Sequence, residues 1–464
     1  MSALYPSKDQ LQDLRDLLPE ICDRNKNVND WMPLEKKNRV VCTGCSLLCD
    51  DISIDLQFGT MQAVHNACLR GTKKFQFSAS KERLKTPGIK ASENEEHIDA
   101  SFDEVMEAAI SLLKSASNVV ITGISRVSND AQELAVQIAT KLHATLAIQD
   151  LDIFKRMTAV IASRGLEFFT LGEAINNADL FLFWGSNVID LSPKFLTKTV
   201  FSRGRYRQSG KEVKKLAVID DYPTPTMERA DIKLMVDDGD HGTILSSIID
   251  ALVASKAMNP AFLASTGITG ANVSSHNASL VKDVADAMNN AEYCTIMLGE
   301  AILNPQFLDK NPEFLGNLLD FIKAMNASGK KVALLPMFYT WNFAGLVQEL
   351  GMASEDLETI DLLELDSRLT DGTVILAIGS DFISKMPKDA LARAKDMQII
   401  CLDFKRTPTS ELARIILPVT MTGIDSGGTA TRLDGVTLNL NAPVEKKETG
   451  TSDADILRAI IDKL

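Results

Sequence analysis

The chain lacks any run of about 18 apolar residues, the length that a membrane-spanning helix needs, so no membrane span is expected. Its first residues, MSALYPSKDQLQDLRDLL, contain no hydrophobic region typical of a secretory signal peptide. The scattered cysteines Cys22, Cys294 and Cys401 show no spacing that suggests disulfide pairing. Together these absences predict a location in a reducing cytoplasm.

Several catalytic motifs are missing as well. Without a G-x-G-x-x-G fingerprint, ordinary NAD binding has little support. The chain has no G-x-S-x-G motif for acyl chemistry, and its histidines form neither an H-x-H nor an H-E-x-x-H metal motif. We therefore expect ordinary surface or core roles for most of the five histidines, which are His65, His97, His143, His241 and His276.

The charge balance is acidic, with a formal net charge of −13 and a pI near 5.0. A nucleic-acid partner is disfavoured, because phosphate binding requires a basic face. Within this acidic chain, residues 194–215 form one basic stretch. It is either a solvated loop or a contact for an anion or another subunit. Its basic residues are Lys194, Lys198, Arg203, Arg205, Arg207, Lys211, Lys214 and Lys215.

The most specific motif is a group of cysteines near the start of the chain, VCTGCSLLCDD followed by NACLRG. The C-x2-C-x3-C spacing with a distant fourth cysteine lets thiolates from one loop and from a returning segment enclose a [4Fe–4S] cluster. Zinc is the main alternative, although zinc sites commonly pair their ligands in two C-x2-4-C knuckles. Free buried thiols are the third interpretation. The predicted ligands are Cys42, Cys45, Cys49 and Cys68.

Short apolar segments bounded by turn residues predict two successive sets of five strands. FWGSN in the first set matches AIGSD in the second, and VIDDYPTPT matches CLDFKRTPT, which indicates an internal repeat. Amphipathic segments at 101–116 and 129–144 predict helices between apolar strands, a pattern typical of parallel sheets covered on both faces. The predicted strands are 118–123, 144–150, 178–187, 215–221 and 230–236, then 294–300, 331–337, 372–381, 398–403 and 413–419.

At 464 residues the chain is longer than one hydrophobic core normally serves. We predict an α/β protein with a small N-terminal Cys-rich [4Fe–4S]-type lobe and two Rossmann-like parallel α/β domains. An apolar stripe at residues 7–22 predicts a helix that packs either on the chain's own core or on a partner. The predicted divisions are 1–35 for an N-terminal extension, 36–85 for the Cys-rich lobe, and 86–270 and 271–464 for the two α/β domains.

Ligands of parallel α/β sheets bind beyond the carboxyl ends of the strands. The Gly-Ser-Asn and Gly-Ser-Asp segments, and the aspartates that end the fourth strands, fall at such positions. An aspartate there can hold a ribose hydroxyl, but it can equally cap the next turn, and the glycine segments can be simple tight turns. These candidates are Gly185, Ser186, Asn187 and Asp220 in the first set, and Gly379, Ser380, Asp381 and Asp403 in the second.

Beyond these local signals, the chain resembles the molybdopterin oxidoreductase family and, within it, the B subunits of formylmethanofuran dehydrogenase. The resemblance covers most of residues 40–440 and lies in VCTGCSLLCDDI, NACLRGTKKF, TGISRVSNDAQ, FWGSN through FSRG, VIDDYPTPTMERADIKL and GIDSGGTATRLDGV. It implies a molybdopterin oxidoreductase-like fold, with a [4Fe–4S] cluster beside a tungsto- or molybdopterin cofactor. It also implies reduction of CO2 to formate for transfer to methanofuran in one-carbon metabolism. Pterin contacts are implied at Gly428, Thr429, Arg432 and Asp434.

The chain departs from this family where the metal is bound. Redox-active members carry a metal-ligating cysteine or selenocysteine in a setting like G-W-S-x-T-x-C-E-A-Q, whereas Asn129 stands at that position here. A neutral amide is a poor replacement for a thiolate, although Ser128 could offer an alkoxide. The family's H-P-R-H run reads S-P-K-F, and its V-D-P-R-x-T reads I-D-D-Y-P-T, with loss of an arginine that can hold a phosphate. These differences predict a lost or much altered redox centre and no molybdenum or tungsten pterin.

A related assembly, the formyltransferase/hydrolase complex, resembles formylmethanofuran dehydrogenase but works without redox chemistry. This second resemblance implies an amidohydrolase-like A subunit, a C subunit and a formyltransferase D subunit as partners. The leading hypothesis is a non-redox scaffold whose cluster is structural. The alternatives are a working dehydrogenase subunit with an unusual metal ligand, and an electron carrier or assembly protein that has a cluster but no pterin.

Overall fold

The computed structural model describes residues 34–90, 96–236, 239–259, 275–353, 356–444 and 451–464. The helix predicted at residues 7–22 lies outside the described residues, as does the expected extension 1–35 apart from its last two residues. The side chain of His276 also lies outside them.

The strands of the described residues form four sheets. Their bounds are β1 Glu35–Val40, β2 Ile52–Gln57, β3 Thr60–His65, β4 Gly88–Ile89, β5 Ile98–Asp99, β6 Asn118–Gly123, β7 Thr145–Ile148, β8 Leu180–Trp184, β9 Lys215–Asp220, β10 Ile232–Met235, β11 Tyr293–Leu298, β12 Lys331–Pro336, β13 Thr359–Asp361, β14 Thr373–Ile378, β15 Gln398–Asp403, β16 Ile415–Pro418, β17 Gly428–Thr431 and β18 Thr437–Leu440.

Helices occupy most of the connections between these strands. Their bounds are α1 Leu69–Phe77, α2 Phe102–Ser115, α3 Asn129–Leu142, α4 Leu151–Arg164, α5 Leu171–Asn177, α6 Val188–Leu191, α7 Phe195–Lys198, α8 Pro225–Glu228, α9 His241–Ala254, α10 Ser275–Asn290, α11 Pro305–Lys310, α12 Phe314–Ala327, α13 Phe343–Met352, α14 Lys388–Lys395, α15 Pro408–Leu412 and α16 Asp453–Lys463. Short 3-10 helices lie at Gly210–Glu212, Leu362–Arg368 and Ile383–Lys385.

The larger sheet has eight strands in the order β13-β7-β6-β14-β15-β16-β4-β5. The strands from β13 to β16 are parallel, and the short β4 and β5 add antiparallel edges. The central strand β14, TVILAI, is buried along its whole length because structure covers both of its faces. Helices α2, α3 and α16 bury their apolar side chains against one face.

The smaller parallel sheet has five strands in the order β10-β9-β8-β11-β12. Helices α4, α9, α10 and α12 pack on one face. The loop that carries Cys42, Cys45 and Cys49 packs on the other face, together with side chains of α5, α6 and α7. The mixed α/β class with parallel sheets is thereby confirmed.

All ten predicted strands are present, but their grouping differs from the expected division at residue 270. Strands β8, β9 and β10 join β11 and β12, whereas β6 and β7 join β14, β15 and β16. Each sheet therefore contains strands from both of the ranges 86–270 and 271–464. An apolar pattern predicts a strand but does not identify the strand's neighbour, so the linear division separates β6 and β7 from β14, β15 and β16, and β11 and β12 from β8, β9 and β10.

The two segments matched in sequence have similar local structures at the carboxyl ends of β8 and β14. Gly185 and Gly379 have φ angles of +59° and +60°, which glycine adopts without steric cost. The Gly185 N–H donates to the Ile219 carbonyl at 2.7 Å, and the Gly379 N–H donates to the Leu402 carbonyl at 2.8 Å. Both glycines thus redirect the chain next to the neighbouring strand.

Two small antiparallel units complete the described part of the chain. Strands β1, β2 and β3 form a sheet beside the cysteine loop, and β17 pairs with β18. No helix within the described residues is both long enough and apolar enough to cross a membrane.

Candidate metal centre and cofactor cleft

The four predicted cysteine ligands line one cavity. The Cys42 N–H donates to the Cys49 carbonyl at 2.8 Å, which closes the loop between β1 and β2. Cys68 caps α1, because its Sγ accepts the Gly71 N–H at 3.4 Å. The cavity is small, with a volume of about 10 Å³. It is lined by Cys42, Gly44, Cys45, Leu47, Cys49, Ile52, Ala67, Cys68, Arg70, Gly71 and Lys194.

Burial sets the acidity of these thiols. Loss of hydration raises the pKa of Cys42 to about 11 and that of Cys49 to about 12, and it also raises the pKa of Cys45. Lys74 opposes this effect at Cys42, and Lys198 opposes it at Cys49, since both are cations. Cys42, Cys45 and Cys49 are therefore protonated as free thiols at neutral pH, and a metal that binds them must displace their protons.

The backbone around the cavity suits sulfur ligands. A Cβ atom on Gly71 would lie 3.0 Å from the Cys42 Sγ, and one on Gly44 would lie 3.3 Å from it, so both positions depend on glycine. Four thiols match the donor sets of [4Fe–4S] clusters and of structural zinc. In the part of the chain that the structure describes, no three His, Cys, Asp or Glu side chains converge as ligands of a metal ion.

Lys74 is a cation beside this cavity that sequence reasoning missed. Its Nζ donates to the Thr43 carbonyl at 2.9 Å and lies 5.3 Å from the ring centre of Trp341. Loss of hydration lowers the pKa of Lys74 to about 8. It lies six residues after Cys68, among polar residues whose pattern is that of an ordinary helix surface.

The segment expected to hold a pterin metal follows β6. Gly123 has φ +105°, and Ile124 has φ +24°, a left-handed conformation that a β-branched residue rarely adopts. Ser128 then caps α3, because its hydroxyl accepts the Ala131 N–H at 3.3 Å. Asn129 is consequently the first residue of a helix rather than the end of an open loop.

The Asn129 side chain is held on both of its polar atoms. Its Nδ2 donates to the Thr431 Oγ1 at 3.1 Å, and its Oδ1 accepts from the Asn342 Nδ2 at 2.9 Å. The Asn342 Nδ2 also donates to the Val127 carbonyl at 2.7 Å, and the Asn342 Oδ1 accepts the Thr431 N–H at 2.8 Å. The buried Gln132 donates to the backbone carbonyls of Ile124 and Asn342, each at 2.9 Å. These contacts form a buried polar network, which we call the Asn342 network, and within the described residues the Gln132 Oε1 has no hydrogen-bond partner in it.

The glycine-rich stretch near the end of the chain packs directly on this network. Gly428 has φ +122°, and a Cβ atom there would lie 3.0 Å from the Ser128 Cβ. A Cβ atom on Gly345 would collide with the side-chain oxygens of Asn129 and Asn342. The structure therefore places the predicted site residue Gly428 against Ser128, the residue before Asn129. Thr429 follows Gly428 in β17.

Arg432 and Asp434 form an internal ion pair. The Arg432 Nε lies 2.7 Å from the Asp434 Oδ1, and the Arg432 Nη2 donates to the Asp434 Oδ2 at 2.8 Å. The Asp434 Oδ2 also accepts the Leu171 N–H at 2.7 Å, at the start of α5. The Asp434 carboxylate thus holds the start of α5, and the Arg432 guanidinium pairs with that carboxylate.

Three of the polar residues at the carboxyl ends of the strands, Asn187, Asp381 and Asp403, have partners within the protein. The Asn187 Oδ1 accepts from the Thr226 Oγ1 at 2.9 Å, and the Asp381 Oδ1 accepts from the Thr409 Oγ1 at the same distance. Asp403 accepts the Phe404 N–H at 2.7 Å, as a turn cap does.

Two of the predicted residues near β8 and β9 are buried. Burial raises the pKa of Asp220 to about 6. Ser186 is fully buried, and its hydroxyl has no hydrogen-bond partner among the described residues. Gly185, Ser186, Asn187 and Asp220 belong to the five-stranded sheet, whereas Gly379, Ser380, Asp381 and Asp403 follow strands of the eight-stranded sheet.

A second group that sequence reasoning missed lies beyond β7. Asp150 has φ +65°, and burial, with Asp361 nearby, raises its pKa to about 6. Lys385 donates to the Gln149 Oε1, and burial lowers the pKa of Lys385 to about 8. These residues are 236 positions apart in the chain, so no local pattern could have paired them.

Known proteins resemble this chain over most of its length. The B subunit of tungsten-containing formylmethanofuran dehydrogenase 2 from Methanococcus maripaludis is 26% identical over 445 residues, covering 93% of this chain and 99% of that protein. The protein of the same name from Methanocaldococcus jannaschii is 26% identical over 439 residues, covering 92% of this chain and 98% of that protein.

Two solved structures share the fold. The formyltransferase/hydrolase complex (FhcABCD) from Methylorubrum extorquens, determined with methylofuran, contains a chain that aligns with a TM-score of 0.58 at 18% identity, covering 81% of this chain and 98% of that one. Acetylene hydratase from Pelobacter acetylenicus aligns with a TM-score of 0.67 at 13% identity, covering 92% of this chain and 69% of that one.

The family model for molybdopterin oxidoreductases matches residues 83–463, which takes in both parallel sheets, the Asn342 network and the glycine-rich stretch. This chain belongs to the molybdopterin oxidoreductase family.

Proposed function

We propose that this chain is the B-type subunit of a formylmethanofuran dehydrogenase-like assembly and that it acts there as a non-redox scaffold. The observation that carries the proposal is the hydrogen bond from Asn342 to Asn129, at the position where the resembled enzymes hold their metal. An amide fixed by two partners offers no thiolate to a metal. Resemblance over nearly the whole of the curated B subunits supports the subunit assignment.

The residues do not fit a molybdenum or tungsten pterin centre. Besides the Asn342 network, Gly428 packs against Ser128, whose hydroxyl is already used as a helix cap. Ser128 is therefore poorly placed as an unusual metal ligand, which weakens the alternative of a working dehydrogenase subunit. We derive no redox step through a pterin.

The cysteine cavity fits a [4Fe–4S] cluster with a structural role. Its four thiols lie between the small antiparallel sheet and the five-stranded sheet, so a cluster would join the Cys-rich lobe to the larger fold. Lys74, Lys194 and Lys198 lie close to the cysteines and favour an anionic occupant. Zinc remains the alternative occupant, and an electron carrier that has a cluster but no pterin remains the alternative function.

The assembly would perform formyl transfer and hydrolysis in its other subunits, in the cytoplasm. The proposed partners are an amidohydrolase-like A subunit, a C subunit and a formyltransferase D subunit, which is supported by the likeness to a chain of FhcABCD. This chain's contribution would be a rigid body built on two parallel sheets. The matched ends of β8 and β14 support an origin of these sheets in an internal repeat.

The test is to purify the native complex anaerobically through a tag on this chain and to run two assays. We expect release of formate from a formylated methanofuran-type carrier and no viologen-linked oxidation of that carrier. A tungsten formylmethanofuran dehydrogenase serves as the positive control for the dye assay. Dye reduction that co-purifies with this chain would overturn the scaffold proposal in favour of the dehydrogenase alternative.

A further inference from the structure

The basic stretch contains a surface loop, residues 199–214, which joins α7 to β9. It lies at the amino ends of β8 and β11, because Arg207 pairs with Asp179 just before β8 and with Glu292 just before β11. This edge is opposite the carboxyl ends where the family's cofactor cleft lies. The loop therefore takes no part in the site described above.

The loop is rigid. The side chain of Lys214 is buried, and its Nζ donates to the carbonyls of Ile175, Thr199 and Ser202 at 2.8–3.0 Å. Gly204 is pressed against the Ile175 carbonyl so closely that a Cβ atom would collide with it. A loop that is fixed from inside loses little conformational entropy when it binds another molecule.

Most of the basic residues in this stretch are used within the chain. Lys194 and Lys198 pair with Asp51 at 3.2 and 2.8 Å, which fastens the cysteine lobe to α7. Lys211 pairs with Asp231. By contrast, Arg203 and Arg205 are exposed and have no carboxylate partner among the residues that the structure describes.

The same loop exposes apolar and aromatic side chains beside these two arginines. Phe201 is 44% exposed, Tyr206 is 63% exposed and Val213 is 45% exposed. The guanidinium of Arg205 lies 5.6 Å from the ring centre of Tyr206. Next to Tyr206 is an open depression of about 520 Å³, lined by Glu173, Asn177, Tyr206, Arg207, Glu292, Tyr293 and Lys331.

We propose that loop 199–214 is a docking surface for another protein subunit that presents acidic side chains to Arg203 and Arg205. Arginine and tyrosine dominate the energetics of protein interfaces, and a depression beside them can receive a partner's anchoring side chain. Two exposed arginines beside exposed aromatic side chains give this edge of an acidic chain a positive surface that suits a partner with acidic side chains. The partner's identity as a subunit of the formyltransferase/hydrolase type rests on the proposed function.

The experiment compares the native complex of the wild-type chain with that of the double variant R203E/R205E. The matched control is K282E/R458E, which makes the same charge change at exposed helical positions elsewhere. Native mass spectrometry measures subunit composition, and hydrogen–deuterium exchange follows residues 199–214 in the isolated full chain and in the complex. We expect the fraction of complexes that lack a subunit to be at least tenfold higher for R203E/R205E than for the control. We also expect the loop to exchange at least tenfold more slowly in the wild-type complex than in the isolated chain.

Normal subunit retention by R203E/R205E, with unchanged exchange of the loop in the wild-type complex, would overturn the docking surface and leave the proposed function intact. Purification of the wild-type chain without any other subunit would overturn both. A variant lacking residues 1–33 is also examined as an isolated chain. Faster exchange of the loop in that variant would show that the chain's own N-terminal segment covers it, which would also overturn docking of a partner.

Discussion

The Asn342 Nδ2 donates a hydrogen bond to the Asn129 Oδ1 at 2.9 Å, across 213 positions of sequence. Asn342 follows β12 of the five-stranded sheet, and Asn129 follows β6 of the eight-stranded sheet. Because Asn342 also contacts Val127 and Thr431, one side chain joins the expected metal segment to the glycine-rich stretch. The altered position 129 thus belongs to a packed junction between the two sheets.

Replacing Asn342 with alanine should destabilise the fold by about 2–4 kcal/mol, because the Thr431 N–H and the Val127 carbonyl would lose a buried partner. Equilibrium unfolding in urea measures the free energy of unfolding of each variant. Asn439→Ala, at an exposed position of β18, is the matched control and should cost less than about 0.5 kcal/mol. Equal losses in the two variants would mean that the network contributes no stability.

Asn129→Cys should restore the family's residue type without restoring a metal site. The thiol cannot donate to Thr431 as the amide does, so we expect a loss of about 1–3 kcal/mol in the free energy of unfolding. Elemental analysis of the purified complex should detect no molybdenum or tungsten. Acquisition of either metal by this variant would show that the pocket can still open around a pterin.

Cys49→Ser should remove most of the iron from the chain, since a cubane cluster loses one of its four thiolate ligands. The measurement is iron and sulfide content, together with visible absorption of the anaerobically purified protein. Cys401→Ser is the control, because Cys401 is buried in β15, away from the cavity, and its loss should leave iron unchanged. If iron is absent and zinc falls in Cys49→Ser, the zinc alternative is correct.

The contribution of His241 to stability should fall as the pH is lowered through the range below about 6.5. This fully buried residue accepts the Trp184 Nε1–H on its Nδ1 at 3.0 Å, and its Nε2 lies 2.9 Å from the Asp221 Oδ1. Burial lowers the pKa of His241, so the unfolded chain binds a proton at a pH where the folded chain does not. Stability from this residue is therefore full above the unfolded pKa and declines as the pH falls toward the folded pKa.

The check on His241 is urea unfolding at pH 7.5 and pH 5.5, chosen to bracket that range. His241→Gln should be less stable than the wild type at pH 7.5, and this difference in the free energy of unfolding should be smaller at pH 5.5. An equal difference at the two pH values would show that His241 does not contribute to the pH dependence.

The elements of the fold could be read from the sequence much more reliably than their arrangement. The apolar segments at 118–123 and 398–403 coincide with β6 and β15, since burial on both faces leaves a clear apolar signal. Short strands such as β4 and β13 were missed because two or three residues carry no such pattern.

Sheet membership and the contacts at the site depend on distant parts of the chain. Nothing near Asn342 indicates that its amide reaches Asn129, and nothing near Asp150 indicates Lys385. The residues predicted at the carboxyl ends of strands do end or follow strands in the structure. The sequence left open whether they bind a ligand or cap turns. The contact of Asp403 with Phe404 is that of a turn, whereas Asn187 accepts a hydrogen bond from Thr226, 39 positions away.

The most direct test of the non-redox account is inductively coupled plasma mass spectrometry for Fe, Zn, Mo and W on the native complex, purified anaerobically through this chain. The account predicts about four iron atoms per chain and neither molybdenum nor tungsten. Stoichiometric molybdenum or tungsten in the wild-type complex would contradict it.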